Sequence, residues 1–183
     1  MEAFAAPALA SRRLDLEPLC SAHAAALFSG FADAALFRFL DSAAPADVAA
    51  LERRYAFITR PGAGHPDRWL NWAMRLSGGG DYAGLVEVTL HATGNANLAY
   101  FTFSRFMRRG FAREACAAVL DALRDRFGAH EVAATIDVRN VASCRLVETL
   151  GFIRADGVVP STLRGIATLD YHYRLALRRP PVD

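Results

Sequence analysis

The chain contains no lysine: all 21 of its basic residues are arginine. Cysteine is scarce too. Cys20, Cys116 and Cys144 are far apart, odd in number and in no Cys-x-x-Cys pair. That argues against a disulfide framework and a zinc site, and fits a reducing cytoplasm. A charge of one sign is also missing, since 21 basic against 19 acidic residues leaves a net charge of +2. This is too small to argue for nucleic acid or an anionic membrane surface as partner. No apolar run is long enough to span a membrane, and the N-terminus has no basic stretch leading into an apolar core, so no signal peptide is expected. His23, His65, His91, His130 and His172 show no metal-ligand spacing, so no metal is expected. The Gly-x-x-x-x-Gly-Lys phosphate loop is absent, and so is a three-glycine dinucleotide fingerprint. What remains, 183 residues with 53% hydrophobic content, suits one domain over residues 11–183, after a loose tail at residues 1–10.

The densest stretch is residues 104–114, Ser-Arg-Phe-Met-Arg-Arg-Gly-Phe-Ala-Arg-Glu, with four arginines and no acid before Glu114. A β-rich run, residues 98–103, precedes it. A helix-periodic run follows, with Phe111, Ala115, Val119, Leu123 and Phe127 at four-residue spacing. A strand, a basic turn with one glycine and a helix can present free backbone N–H groups to a phosphate. The first amides of a helix have no internal partner, and the helix dipole favours an anion there. Gly110 permits close approach, and Arg108, Arg109 and Arg113 can grip phosphate oxygens in bidentate pairs. An ordinary turn with solvated arginines has the same pattern.

Periodicity and punctuation order the rest. Residues 12–19 alternate as a strand, and a helical run starts at Ser21. Pro45, just ahead of Asp47, opens a second or third helix to about Thr59, and residues 61–66 form a loop. Residues 69–76 and 82–91 make a hairpin across the glycine-rich turn 77–81. A turn at 93–97 leads into the strand 98–103. After the helix 110–127, residues 131–138 form a strand, and Asn140 caps a short helix over 141–150 that Gly151 stops. Residues 152–159 and 167–177 close the chain as two strands. The order β-α-α-β-β-β-α-β-α-β-β predicts an α+β or mixed α/β single domain.

Two motifs carry a resemblance. Arg109-Gly-Phe-Ala-Arg-Glu-Ala115 and Asn140-Val-Ala-Ser-Cys-Arg-Leu-Val-Glu-Thr-Leu-Gly-Phe152 stand in order with strands between them. Together they resemble the GNAT acetyltransferase superfamily, in particular its RimJ/RimL-like branch, over roughly residues 12–177. The chain departs from the pattern at Met107, Arg108 and Phe103-Ser104.

The resemblance implies a mostly antiparallel mixed sheet, flanked by helices, whose two central parallel strands, 98–103 and 133–138, splay apart. It implies transfer of an acetyl group from acetyl-CoA to a primary amine, either a peptide N-terminus or a small molecule, by direct attack in a ternary complex. The pantetheine arm would lie against Phe101, Thr102 and Phe103. The diphosphate would lie on Arg108, Arg109, Gly110, Phe111, Ala112 and Arg113. Asn140 and Ser143 would also face the cofactor, with Ser143 protonating the departing thiolate. Cytoplasmic location follows, and a homodimer stays open. Glu87 is the candidate base, and Asp170 and His172, on one face of the last strand, are candidates for acceptor binding. A weak base would suffice for an α-amino group, whose pKa of roughly 7.7–8.0 lies well below the ~10.4 of lysine. The other reading from a different class is a non-catalytic CoA-binding or regulatory module on the same fold. Nucleic-acid binding through the arginines fits poorly with the small net charge.

Overall fold

Leu14 and Leu16 alternate with Asp15 and Glu17, so one side of that strand can be buried while the other meets polar partners. The computed structural model describes residues 6–60 and 66–177. It opens with β1 (Leu9–Ala10) and β2 (Leu14–Pro18), followed by α1 (Ala24–Phe28) and α2 (Val48–Ile58). Then come β3 (Arg68–Leu76), β4 (Tyr82–Leu90), β5 (Asn95–Thr102) and α3 (Phe111–Asp125). The chain ends with β6 (Glu131–Asp137), α4 (Val141–Thr149), β7 (Ile153–Arg154), β8 (Val159–Leu163) and β9 (Ile166–Ala176). All described strands join one sheet, ordered β1-β2-β3-β4-β5-β6-β9-β7, with β8 also paired to β9. β5 and β6 run parallel and every other pair is antiparallel. This is the expected mixed sheet flanked by helices.

The core is continuous across the sheet. Leu14, Leu16, Leu70, Trp72, Met74 and Val86 are fully buried in it. α3 contributes Phe111, Ala115, Val119 and Leu123 of the stripe seen in its sequence, with Cys116 beside them; Phe127 lies beyond its end at Asp125. α2 starts at Val48 rather than Pro45, where the Asp47 side chain caps it by accepting from the Ala50 amide.

Four local readings change. The helical run after Ser21 breaks into 3-10 turns on either side of α1, at Ser21–His23, Ser29–Ala32 and Ala34–Phe37. Gly30 lies in this segment because the Phe103 ring occupies its side-chain space; a Cβ there would sit 2.4 Å from the ring. The turn expected at 93–97 closes earlier. His91 N–H donates to the Asn95 carbonyl at 2.8 Å, so Asn95 already belongs to β5. The strand expected over 152–159 divides into β7 and β8 around Gly157, whose φ of 81° makes a turn. The expected tail is not loose throughout. Leu9 and Ala10 pair with Leu16 and Asp15, and the Pro7 carbonyl accepts from the Trp72 indole at 2.7 Å. Residues 1–5 lie outside the described residues, as do residues 61–65 of the expected loop, including His65.

Candidate active site

The parallel pair is short. β5 and β6 are in register only at Asn95–Glu131, Ala96–Val132 and Asn97–Ala133, and then separate. The direction of the free edge follows from one bond: Phe103 N–H donates to the Ala83 carbonyl of the strand beside it. Backbone groups alternate sides along a strand. Phe101 and Phe103 therefore turn their amides toward β4, while Leu98, Tyr100 and Thr102 turn theirs into the gap. Of the three residues named for this edge, Thr102 alone offers backbone groups there. Its hydroxyl is also buried without a partner.

At the far end of β5 the chain makes the basic turn and enters α3. Arg108 and Gly110 both adopt left-handed backbone, with φ of 59° and 81°. Only glycine does this without strain. Phe111, Ala112 and Arg113 begin the helix, so their amides precede its first internal acceptor; the first helical bond runs from Glu114 N–H to the Gly110 carbonyl. Arg108, Arg109 and Arg113 are exposed around these amides. Arg13, which the sequence did not single out, packs on the same turn. It donates to the Arg109 carbonyl at 3.1 Å and lies 4.6 Å over the Phe111 ring. It also pairs with Glu114 at 2.7 Å, and Ser11 donates to the same carboxylate. The one acid of the first helical turn is thus held by two residues of the loop between β1 and β2.

On the sheet face covered by α2, a cavity of about 400 Å³ opens where β5 and β6 part, with Asn97 and Ala99 on one wall and Ala133 and Thr135 on the other. Asn71, Glu87 and Ala99 lie side by side across β3, β4 and β5. Glu87 lines this cavity, its side chain only 19% exposed, with Arg54 of α2 at 3.6 Å. Burial pushes its carboxyl above the usual range, and Arg54 only partly offsets this. Among the expected candidates, Glu87 alone combines burial, a raised pKa and a place on this cavity. Its partner Arg54 was invisible in the sequence because contact between α2 and β4 is tertiary.

Across the gap, Asn140 caps α4 by accepting from the Ser143 amide at 3.2 Å. Tyr100 reaches over from β5 and donates to the Ser143 carbonyl at 3.4 Å. Burial raises the Tyr100 pKa, so it stays protonated. Asp137, buried at the end of β6, holds the turn before α4 by accepting from Arg139 and Thr168, which keeps its carboxyl well below the usual range. Glu87 and the pair Tyr100–Ser143 lie on opposite faces of the sheet with the gap between them. Asp170 and His172 stand opposite Asp137 and Thr135 in β9, one strand beyond the cavity wall. Tyr173 is bonded to Glu148 at 2.9 Å. Among the described residues no group of three metal-ligand side chains occurs, and no helix is long and apolar enough to cross a membrane.

Residues 13–153 match the family described as acetyltransferase (GNAT) domain. A search of curated proteins gives no match. Among solved structures, a protein from T. thermophilus described as an acetyltransferase shares 26% identity, with a TM-score of 0.74 over 92% of this chain and 88% of that one. A spermidine N-acetyltransferase from Vibrio cholerae, in complex with CoA and spermine, superposes with a TM-score of 0.75 at 16% identity, over 90% of this chain and 95% of that one. The microcin C7 self-immunity acetyltransferase MccE, in complex with acetyl-CoA and AMP, gives 0.75 at 16% identity, over 90% and 93%. At 16% identity these two likenesses are likenesses of fold. The chain belongs to the GNAT acetyltransferase family.

Proposed function

From that membership we propose that this chain is an acetyl-CoA-dependent N-acetyltransferase of the RimJ/RimL-like branch, acting on a primary amine. The observation that carries the reading is the unpaired edge of β5, open beside a helix N-terminus ringed by arginines. Three features of this chain fit the donor: the free backbone groups of Tyr100 and Thr102, the unpartnered Thr102 hydroxyl, and the amides of Phe111–Arg113 behind Arg108 and Arg109. The complexes of two fold relatives with CoA or acetyl-CoA support the same donor.

Acetyl-CoA supplies an activated acetyl thioester. The chain does the rest. Amides at the gap hold the donor by strand-like hydrogen bonds, and one of them polarises the thioester oxygen. Glu87, with a raised pKa in a cavity reaching the gap, takes a proton from the amine. Ser143, or Tyr100 beside it, gives a proton to the leaving sulfur from the opposite face. Asn140 has its side-chain oxygen committed to the α4 cap, so its part is to fix Ser143.

The test is release of free thiol from acetyl-CoA with a panel of peptides, polyamines, amino acids and aminoglycosides, alongside a thermal-shift titration with CoA. A CoA-dependent shift with thiol release for some amine is expected. A shift without release for any amine would leave a CoA-binding module instead, and no shift at millimolar CoA would remove the donor site.

A further inference from the structure

Resting on that reading, we propose that the acceptor is a free α-amino acid with an apolar side chain, its amine held at Glu87 and its carboxylate at Arg54.

A second cavity, of about 150 Å³, adjoins the first. The two share Arg54 and Glu87, and among the described residues these are the only charged groups lining either one. The larger cavity reaches the gap where the donor would lie. The smaller is walled by Phe31, Phe37, Leu51 and Phe101. Away from Arg54 and Glu87 its walls are mainly apolar, and a space of that size takes a group no larger than benzene. The shared wall carries one acid and one base, 3.6 Å apart, with the Arg54 side chain 53% exposed. A zwitterion can replace such a loose pair by two closer ones, ammonium to Glu87 and carboxylate to Arg54.

Tyr55 supplies an independent observation. It is fully buried against the smaller cavity, and its hydroxyl has no hydrogen-bond partner. A buried hydroxyl without a partner is uncommon. The field of Glu87 and Arg54 reaches it. A carboxylate drawn to Arg54 gives that hydroxyl something to donate to. Ala50, Leu51, Arg54, Tyr55 and Ile58 recur at helical spacing on α2, so one face of one helix delivers all these contacts.

Other amines fit less well. A polyamine brings two or more cations to walls with a single carboxylate and an arginine already present. A peptide N-terminus has no carboxylate beside its amine, which leaves Arg54 and Tyr55 without a partner.

The transfer balances. The ammonium gives a proton to Glu87. The neutral nitrogen attacks the thioester carbon, and a C–N bond forms as the C–S bond breaks. The sulfur keeps the bonding electron pair and takes a proton from the Ser143 or Tyr100 hydroxyl, which is made good by the nitrogen's second proton. N-acetyl amino acid and free thiol leave, and Glu87 releases its proton to water.

The test compares L-leucine with L-leucinamide, spermidine and a leucine-initiated peptide, by kcat/KM with acetyl-CoA and by calorimetry on the CoA-saturated protein. Leucine should exceed leucinamide by about tenfold or more in both, although the amide's amine is the less basic and more often neutral. Arg54→Gln should shrink that ratio toward one. Tyr55→Phe should raise the KM for leucine without lowering the melting temperature, which separates recognition from packing. Leucine binding without turnover would keep the recognition site and remove the transferase reading. Turnover of amines with leucinamide as good as leucine would keep the transferase and overturn this inference. Neither binding nor turnover of leucine would also overturn it.

Discussion

Glu87 is the residue at which stability and function oppose each other. Its folded carboxyl holds a proton more tightly than an exposed one, because burial raises its pKa more than Arg54 lowers it. Above the ordinary carboxylate range the folded chain therefore binds more protons than the unfolded chain through this group. Its contribution to stability then falls as pH rises through the raised value. Glu87→Gln should raise the melting temperature at neutral pH and change it little near pH ~4, where the carboxyl is already neutral. Arg54, half exposed, stays solvated in the variant. The same substitution should lower kcat by about 10²–10⁴-fold, the usual weight of a general base. A variant as active as the parent would remove Glu87 from the chemistry. On the other face, Ser143→Ala and Tyr100→Phe separate two donors. If the serine hydroxyl protonates the sulfur, its loss should lower kcat toward the low end of that range, leave CoA affinity intact, and matter less with a more acidic leaving thiol. If Tyr100 is the donor, Ser143→Ala leaves kcat unchanged and Tyr100→Phe carries the loss. Tyr173, buried on the closing strand, is committed to Glu148, so Tyr100 is the tyrosine left for this role. A tyrosine in a run of apolar strand residues gives no sign of which helix its hydroxyl will reach.

At the scale of elements, the motif at the start of α3 was the most legible part of the site, because its features are local. Gly110, the arginines and the apolar stripe from Phe111 to Leu123 each follow from backbone geometry or helical spacing. The α4 ending was legible for the same reason: Gly151 N–H donates to Glu148 and Phe152 N–H to Val147, the 5→2 and 6→1 bonds of a Schellman stop. Contacts far apart in sequence were not legible. Arg13 against the α3 turn and Arg54 beside Glu87 join positions 96 and 33 residues apart, and no spacing rule reaches that far. The division of the expected 152–159 strand had a local signal in Gly157, outweighed by the apolar run around it. Gly110→Glu tests the element directly. It forces a side chain into left-handed backbone, sets a Cβ 3.3 Å from the Arg13 guanidinium, and puts a carboxylate among amides suited to an anion. The expected result is a folded protein, by far-ultraviolet circular dichroism, that gives no thermal shift with CoA. Arg109→Ala should weaken CoA binding more mildly, since the amides remain. Equal CoA affinity in Gly110→Glu and the parent would place the anion site elsewhere.

Across the whole molecule, the sheet is two antiparallel blocks joined by the three register pairs of β5 and β6. β1 to β5 stand on one side, and β6 to β9 on the other. A ligand bonded to the open edges beyond Asn97 adds ties where the sheet has none, so it should stabilise the molecule and protect a defined set of amides. The stabilisation follows mass action, about 2.7 kcal/mol at a ligand concentration about 100 times Kd. The protection pattern is the sharper test, because alternation fixes it residue by residue. Without ligand, the amides of Tyr100 and Thr102 face the gap and should exchange faster than that of Phe103, which already donates to the Ala83 carbonyl. Saturating CoA should slow exchange at Tyr100 and Thr102 and at Phe111, Ala112 and Arg113, and leave Phe103 nearly unchanged. Residue-resolved exchange by NMR reads each of these separately. Uniform slowing along β5 would mean only that CoA stabilises the whole fold. Slowing at Phe111–Arg113 with none at Tyr100 and Thr102 would put the diphosphate at α3 and leave the gap without the pantetheine arm, which would also remove the route from donor to Glu87.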